Sequence, residues 1–472
     1  MQPDLRPTLA GIAADDYPIA LPALAHATAV LGGLLLYVIV TRVRHQRHHP
    51  SAAFAWVVTI AFLPYLGIPL FLLFGTSKLA RPRQHPRAVP PPGTPPDPPW
   101  PPTLLAGLGM APPAANRAIR FHADGAEAQA ALLAMVGAAR KRILVSTFIL
   151  GADEVGDALV TALAGRARAG AEVCVLLDAL ARLRCTGVQL RRMRAAGIEV
   201  RWVTAMRRKP NTQVNLRYHR KLVVCDGAAL WSGGRNFAEE YFTRDGGKPP
   251  WEDMSFDVHG PLAAQAELLF GRDWTAAGGA AFDPMPATDT GVAAGAPAQL
   301  VGSGPDYADD NVYALLLAGA FHARERIVAV TPYFIPDEAL LLAWRIACRR
   351  GVRVTLLVPA SSNHRLADWG RGRALRDLCN AGADIRLFPR MIHAKAVVID
   401  DTLALCGSAN LDGRSLFLNF ELMVAFYGRQ EIDWLAGWVL GRAAVSPAYR
   451  ACPPSWLRDV GEGLVRVIGF QL

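Results

Sequence analysis

The chain has 472 residues, 52% hydrophobic and 19% charged, which is enough apolar material for one or two substantial cores and excludes a disordered or collagen-like polymer. Fifty basic residues against 40 acidic ones leave a net charge of +10, suited to an anionic partner such as nucleic acid or a phospholipid surface. Six of the basic residues are lysines (Lys78, Lys141, Lys209, Lys221, Lys248, Lys395), and the seven cysteines are widely scattered, which argues against a zinc site or disulfide framework and for buried, reduced thiols.

Residues 18–40 and 52–74 are each 23 residues long and free of Asp, Glu, Lys and Arg. At about 1.5 Å per residue each covers the roughly 30 Å hydrocarbon layer, so the pattern predicts two spanning helices. Asp4, Asp15 and Asp16 precede the first, where a cleaved signal peptide would carry basic residues. Pro64 and Pro69 predict a kink in the second. Arg42, Arg44 and Arg47 between the segments nearly balance Lys78, Arg81, Arg83 and Arg87 beyond them, which leaves the orientation open. Residues 1–78 thus read as a membrane anchor. Eleven of the 21 residues from Pro82 to Pro102 are proline, so 79–115 reads as an extended linker.

Apolar helical stretches at 126–140, 156–169 and 187–196 are followed by β-branched runs at Ile143–Ile149, Glu172–Leu177 and Ile198–Val203. The same order returns at 312–325, 337–350 and 371–381, with runs at Ile327–Tyr333, Val352–Val358 and Ile385–Phe388. This alternation predicts an α/β fold, parallel sheets covered by helices, in two halves of similar plan, 116–290 and 291–472.

Each half ends in one signature. The first reads His219-Arg-Lys221-Leu-Val-Val-Cys-Asp226 with Gly233-Gly234-Arg-Asn236 behind it; the second reads His393-Ala-Lys395-Ala-Val-Val-Ile-Asp400 with Gly407-Ser408-Ala-Asn410. His to Lys is two residues, His to Asp seven and His to Asn seventeen in both. One match is weak; two at equivalent places in a repeated half are strong. His and Lys two apart on a strand share a face, and a pseudo-twofold axis would bring two imidazoles, two ammoniums and the amides of Asn236 and Asn410 into one pocket. Lysines and amides, with Ser408, suit phosphate oxyanions, while one His attacks phosphorus and the other protonates the leaving alkoxide. Asp226 and Asp400 complete the catalytic signature, although each sits where a turn begins, which favours shaping over substrate contact. No metal or cofactor is called for.

These paired signatures resemble the phospholipase D superfamily, and the surrounding phrases resemble bacterial cardiolipin synthases. The phrases are Asn215-Leu-Arg-Tyr-His219, Ser303-Gly-Pro-Asp306, Thr331-Pro-Tyr-Phe-Ile-Pro-Asp-Glu338, Gly407-Ser-Ala-Asn-Leu-Asp-Gly-Arg-Ser415 and Leu418-Asn-Phe-Glu421, together with Ala55-Trp56 and Phe74-Gly75 in the second apolar segment. The resemblance implies two fused phospholipase D-like halves behind two transmembrane helices, in a multi-pass protein of the bacterial cell membrane (the inner membrane of a Gram-negative cell). It implies metal-independent phosphatidyl transfer between two phosphatidylglycerol molecules, giving cardiolipin and glycerol through a phosphohistidine. His219 would be the nucleophile and His393 the acid and then base. Glu421 would orient His393, and an acid near Trp251-Glu-Asp253, Asp253 itself, would orient His219; the first copy has Gly247 at the offset where the second has Glu421. The residues leave the acceptor open, since a phospholipase D using water or another alcohol fits as well. A nuclease fits the charge but not the apolar segments, so no nucleic-acid partner is expected. Oligomeric state is not legible.

Two further features stand apart from the signatures. The stretch between Val203 and His219 carries Arg207, Arg208, Lys209 and Arg217, which suits an anionic headgroup or a solvated loop equally. Trp434-Leu-Ala-Gly-Trp438 suits a packed helix face more than the membrane interface.

Overall fold

The first long helix, α1 (Tyr17–Val43), contains a 20-residue stretch, Pro22–Thr41, of mean hydropathy 2.1, long and apolar enough to cross a bilayer. This computed structural model describes residues 17–43, 50–75, 99–203, 216–285 and 295–468, divided into two compact units, Met1–Thr76 and Ser77–Leu472. The second apolar segment does not form the second span expected of it. It breaks into α2 (Pro50–Phe62) and α3 (Pro64–Phe74), of 13 and 11 residues, about 20 and 16 Å at the helical rise and short of the hydrocarbon thickness. Pro64 has no N–H to return to the preceding turn and its ring crowds that turn's carbonyl, a cost of about 3 kcal/mol in a continuous helix. Leu63 therefore leaves helical geometry at φ −134°, ψ 59°. Gly67 then lets α3 fold back on α2, for a Cβ there would lie 2.9 Å from the Thr59 carbonyl oxygen. Among the described residues there is one candidate span, which corrects the multi-pass expectation.

The second unit begins inside the expected linker. Helix α4 (Trp100–Gly107) buries Leu105, and strand β1 (Ala114–Asn116) pairs with a strand of the second half, so 99–116 belongs to the folded unit; of the expected linker, 79–98 lies outside the described residues. The first half runs β2 (Ala118–His122), α5 (Gly125–Ala138), β3 (Arg142–Thr147), α6 (Glu154–Arg168), β4 (Glu172–Asp178), α7 (Gly187–Ala195), β5 (Glu199–Val203), β6 (Leu222–Cys225), β7 (Ala229–Gly233), β8 (Ser255–His259) and α8 (Pro261–Ala276). The second runs β9 (Ala296–Ser303), α9 (Asn311–His322), β10 (Arg326–Val330), β11 (Phe334–Ile335), α10 (Glu338–Arg349), β12 (Arg353–Pro359), α11 (Arg365–Gly370), α12 (Gly372–Asn380), β13 (Asp384–Phe388), β14 (Ala396–Ile399), β15 (Leu403–Gly407), β16 (Leu411–Asp412), α13 (Gly413–Phe417), β17 (Glu421–Phe426), α14 (Arg429–Ala444) and α15 (Trp456–Ile468).

The sheet orders are β2-β8-β7-β6-β3-β4-β5 and β1-β9-β17-β15-β14-β10-β12-β13. Apart from the added edge strand β1, each position in one sheet has its counterpart in the other, which is the duplication read from the sequence. The sheets are mixed, not parallel: β3-β4-β5 and β10-β12-β13 are parallel, while the signature strands β6 and β14 run antiparallel to β3 and β10. The reason is the tight turn after each signature strand, which returns the chain as a hairpin. Helices α5 to α7 cover one outer face and α9, α10 and α12 the other, while α8 and α14 supply apolar residues to a core that draws on both sheets. Cys174, Cys185, Cys225 and Cys406 are buried and unpaired as expected, but Cys452 is exposed.

Candidate active site

The registers Ser146↔Leu222 and Val330↔Ala396 put the residues just before β6 and β14, Lys221 and Lys395, at the carboxyl ends of β3 and β10. Asp226 and Asp400 fall at the opposite ends of the same strands. Each takes a left-handed backbone, φ 53° and 50°, which Asp tolerates better than most residues. Asp226 accepts the N–H groups of Arg140, Lys141 and Arg142, and Asp400 those of Arg324, Glu325 and Arg326, all at 2.8–2.9 Å. These carboxylates fix the starts of β3 and β10, and neither is placed to meet a substrate at the lysines. This geometry goes with the shaping role that their turn positions favour.

The histidines stand where the halves exchange short parallel bridges. The His219 N–H donates to the Phe420 carbonyl at 2.9 Å, and the His393 N–H donates to the Glu252 carbonyl at 2.6 Å. Each bridge delivers the next residue of the opposite half to the ring. His219 Nδ1 lies 3.0 Å from both Glu421 oxygens, and His393 Nδ1 lies 2.7 Å from Asp253 Oδ2. The orienting carboxylates are therefore crossed relative to the expectation: Glu421 serves His219 and Asp253 serves His393. Counting offsets failed because Asp253 follows its own histidine by 34 residues and Glu421 by 28. The longer first copy contains the Asp245–Lys248 turn, whose Asp245 accepts from the Trp251 indole.

The neighbouring positions fit the two acids. Gly234 occupies the place of Ser408, and a Cβ there would meet Asp253 Oδ1 at 2.2 Å, so glycine is what admits the carboxylate. On the other side the Ser408 hydroxyl donates to Glu421 at 2.5 Å and accepts the Leu422 N–H at 2.9 Å, while the Asn419 amide donates to Glu421 at 3.2 Å. Ser408 is thus occupied in holding Glu421, which corrects its expected contact with phosphate. Asn236 and Asn410 remain candidates through their NH2 groups, the donors an oxyanion needs; both are buried.

Lys221 Nζ donates to the His219 carbonyl at 2.9 Å, and Lys395 Nζ donates to the His393 carbonyl and sits 2.8 Å from the ring nitrogens. Burial, reinforced by the other lysine, pushes Lys221 down to about 7; burial pushes Lys395 down to about 8. Burial also lowers His219 to about 4 and His393 to about 3, the adjacent lysines adding to the effect and the carboxylates opposing it. Burial is the largest influence on Glu421 and Asp253 and would raise both, but His219, Lys221 and Ser408 around the first, and His393, Lys395 and Arg235 around the second, together hold them below the usual carboxylate range. Each neutral ring that donates Nδ1–H to its carboxylate carries its lone pair on Nε2. His219 is 12% exposed in its side chain and meets the Phe148 edge at 5.2 Å. His393 is packed by Tyr241 at 4.9 Å and Trp251 at 5.8 Å. Such a pocket can bind a phosphate and offer it both a nucleophile and a proton carrier. Among the described residues no cluster of three or more His, Cys, Asp or Glu is arranged to hold a metal.

Sequence reading missed Arg220 and Arg235. Arg220 is fully buried and pairs with Asp273 of α8 at 2.6 Å and Asp306 of the second half at 2.8 Å, and its Nε donates to the Glu421 carbonyl at 3.2 Å. Its one signal is that the middle of the His-x-Lys motif is Arg in the first copy and Ala394 in the second. Arg235 donates to the carbonyls of Asp253, Tyr241, His122 and Ala123, bracing the Asp253 segment. Of the basic loop, Arg207, Arg208 and Lys209 lie outside the described residues, and Arg217 borders Arg414 and Asp178. Trp434 stacks on Phe121 at 4.5 Å and the Arg442 guanidinium covers Trp438 at 3.7 Å, so that stretch is a packed helix face.

Comparison with known proteins adds an independent finding. Residues 132–274 and 318–439 match the family described as cardiolipin synthase, PLD-like domain, and residues 33–75 match the phospholipase D-nuclease N-terminal family. Cardiolipin synthase A of Pseudomonas aeruginosa (strain LESB58) is 33% identical over 396 residues, 79% of this chain and 80% of that protein. Cardiolipin synthase A of Pseudomonas entomophila is 31% identical over 406 residues, 81% and 84% of the two chains. The crystal structure of phosphatidylserine synthase from Haemophilus influenzae Rd KW20 superposes with a TM-score of 0.60 at 15% identity, covering 79% of this chain and all of that one.

Proposed function

The chain belongs to the bacterial cardiolipin synthases of the phospholipase D superfamily, and from that premise we propose that it transfers a phosphatidyl group from one phosphatidylglycerol to another, giving cardiolipin and glycerol through a phosphohistidine. What supports this reading is that two His–carboxylate pairs, each bridging the halves, lie with two buried lysines close enough to act on one another electrostatically. His219 Nε2 attacks phosphorus as the phosphorus–glycerol oxygen bond breaks. The diester's negative charge favours a proton on His393 Nε2, which goes to the departing glycerol oxygen. The hydroxyl of a second phosphatidylglycerol then returns a proton to His393 and attacks phosphorus, the P–N bond breaks, and His219 is regenerated. Glu421 and Asp253 stabilise the positive charge that each ring carries in turn, and Lys221, Lys395, Asn236 and Asn410 hold the phosphate oxygens. The work is done at the cell membrane, the inner membrane of a Gram-negative cell, with α1 as anchor.

Purified protein in liposomes with phosphatidylglycerol as the lone lipid substrate tests the reaction. Cardiolipin with free glycerol is the expected product pair, and phosphatidic acid in its place would replace the synthase reading with a hydrolase. His219→Ala and His393→Ala should each abolish transfer without loss of fold; near-normal turnover in either would sink the shared pocket.

A further inference from the structure

Four large apolar side chains stand exposed on adjoining helices of the second half: Leu366 (51%) and Trp369 (54%) on α11, Trp456 (76%) and Leu457 (74%) on α15. They are contiguous. Trp369 lies one turn from Leu366, and its ring approaches Gly461, where a Cβ would lie 3.2 Å away; Gly461 is one turn from Leu457. Water does not favour such a grouping, and contiguous apolar patches mark interaction surfaces.

Its place in the fold says what it meets. Helix α11 follows the carboxyl end of β12, which pairs in parallel with β10, and the carboxyl end of β10 is where Lys395 and His393 emerge. The connecting loop belongs to the same rim: Asn363 receives the Tyr333 hydroxyl at 2.6 Å, His364 stacks edge-on with Tyr333 at 5.3 Å, and Tyr333 leads into β11, which pairs with β16 directly behind Asn410. The border carries both signs with arginine in slight excess. Arg365 is exposed, the exposed Arg373 and Arg458 pair with Asp377 and Glu462, Asp368 is tied to Arg371 and the Ser362 N–H, and Asp459 is exposed beside Arg376. A protein partner on this rim would close the mouth of the pocket, but a bilayer would feed it. We propose that Leu366, Trp369, Trp456 and Leu457 form a docking surface that inserts into an anionic phospholipid leaflet and seats the pocket mouth on it. This rests on the phosphatidyl-transfer reading for its substrate but adds a membrane contact separate from α1.

The test uses the full chain in vesicles of phosphatidylglycerol and phosphatidylcholine. In a Cys452→Ser background, an environment-sensitive fluorophore on Leu457→Cys should be quenched by phosphatidylcholine brominated in its acyl chains, and one on Thr402→Cys, in the turn between β14 and β15 at the opposite end of the strands from the lysines, should not. Replacing all four residues by Ser should cut turnover of vesicle phosphatidylglycerol about tenfold or more and leave turnover of dissolved short-chain phosphatidylglycerol unchanged. An unquenched label at 457 overturns the docking surface. So does a variant that keeps wild-type turnover on vesicles, or one that loses turnover equally on both substrates. If the wild type transforms neither substrate, the reaction reading fails, and the quenching still decides the docking surface.

Discussion

Two acids of different length perform equivalent tasks on the two histidines, and the difference is absorbed locally. Glu421 reaches His219 with Ser408 and Asn419 behind it, and Asp253 reaches His393 through the space that Gly234 leaves. Each acid should therefore fail in the role of its own histidine, nucleophile or proton carrier. Glu421→Gln is expected to slow formation of the His219 adduct by about 10²-fold or more, because the ring loses the anion that stabilises its positive charge. Asp253→Asn should slow turnover of phosphatidylglycerol similarly, yet leave adduct formation near normal with a phosphatidyl ester of p-nitrophenol, a leaving group that needs no proton. Rapid-quench trapping of the labelled adduct with both donors checks the assignment; an Asn variant equally slow with both would place Asp253 elsewhere in the cycle. The lysines give a pH signature. With Lys221 at about 7 and Lys395 at about 8, both are protonated in acid and lose their charge as pH rises through that window. The free enzyme then loses its grip on an anionic diester, so kcat/KM should fall on the alkaline side with a limb near 7–8, measured at constant ionic strength. A profile flat to pH 10 would show that the lysines do not bind the phosphate.

The signature strands show how one element can hold two unlike duties. Lys221 and Lys395 stand at the end proposed to bind phosphate, whereas Asp226 and Asp400 tie down three backbone N–H groups apiece at the other. Asp226→Ala removes three charge-assisted acceptors and should cost about 2–4 kcal/mol in urea unfolding, while the folded fraction keeps most of its turnover. An unchanged unfolding midpoint would contradict the role given to the turn. The elements were legible where periodicity is strong. The stretches 126–140 and 156–169 appear as α5 and α6, and the paired signatures announce the duplication. Sheet direction was not legible, because β6 and β14 reverse through turns whose Asp-Gly and Asp-Asp pairs state a bend but not its partner strand. A kink at Pro64 was legible but not its depth: a hydropathy window averages across a missing N–H and counts α2 and α3 as one segment.

At the scale of the whole second unit, the least legible property was which half completes which histidine. Spacing within one copy says nothing about strands exchanged between copies, and the bridges at Tyr218↔Phe420 and Glu252↔Ile392 decide it. Arg220, fully buried, reinforces the joint by spanning Asp273 and Asp306. Arg220→Ala would strand the buried carboxylate of Asp273 and free the part-exposed Asp306, and should cost about 3–5 kcal/mol, read as a lower urea midpoint with turnover lost in parallel. Retained stability would mean that apolar packing alone joins the halves. The crossed carboxylates also carry an evolutionary consequence. A single ancestral copy built this way could not have furnished its own histidine with an acid, so it would have worked as a pair of identical subunits, each lending a carboxylate to the other. Fusion of two such copies would make the exchange permanent and release them from identity. Asp253 with Gly234 against Glu421 with Ser408, and Arg220 against Ala394, are the marks of that divergence, in which a change tolerated in one copy is judged by what it does to the histidine of its twin.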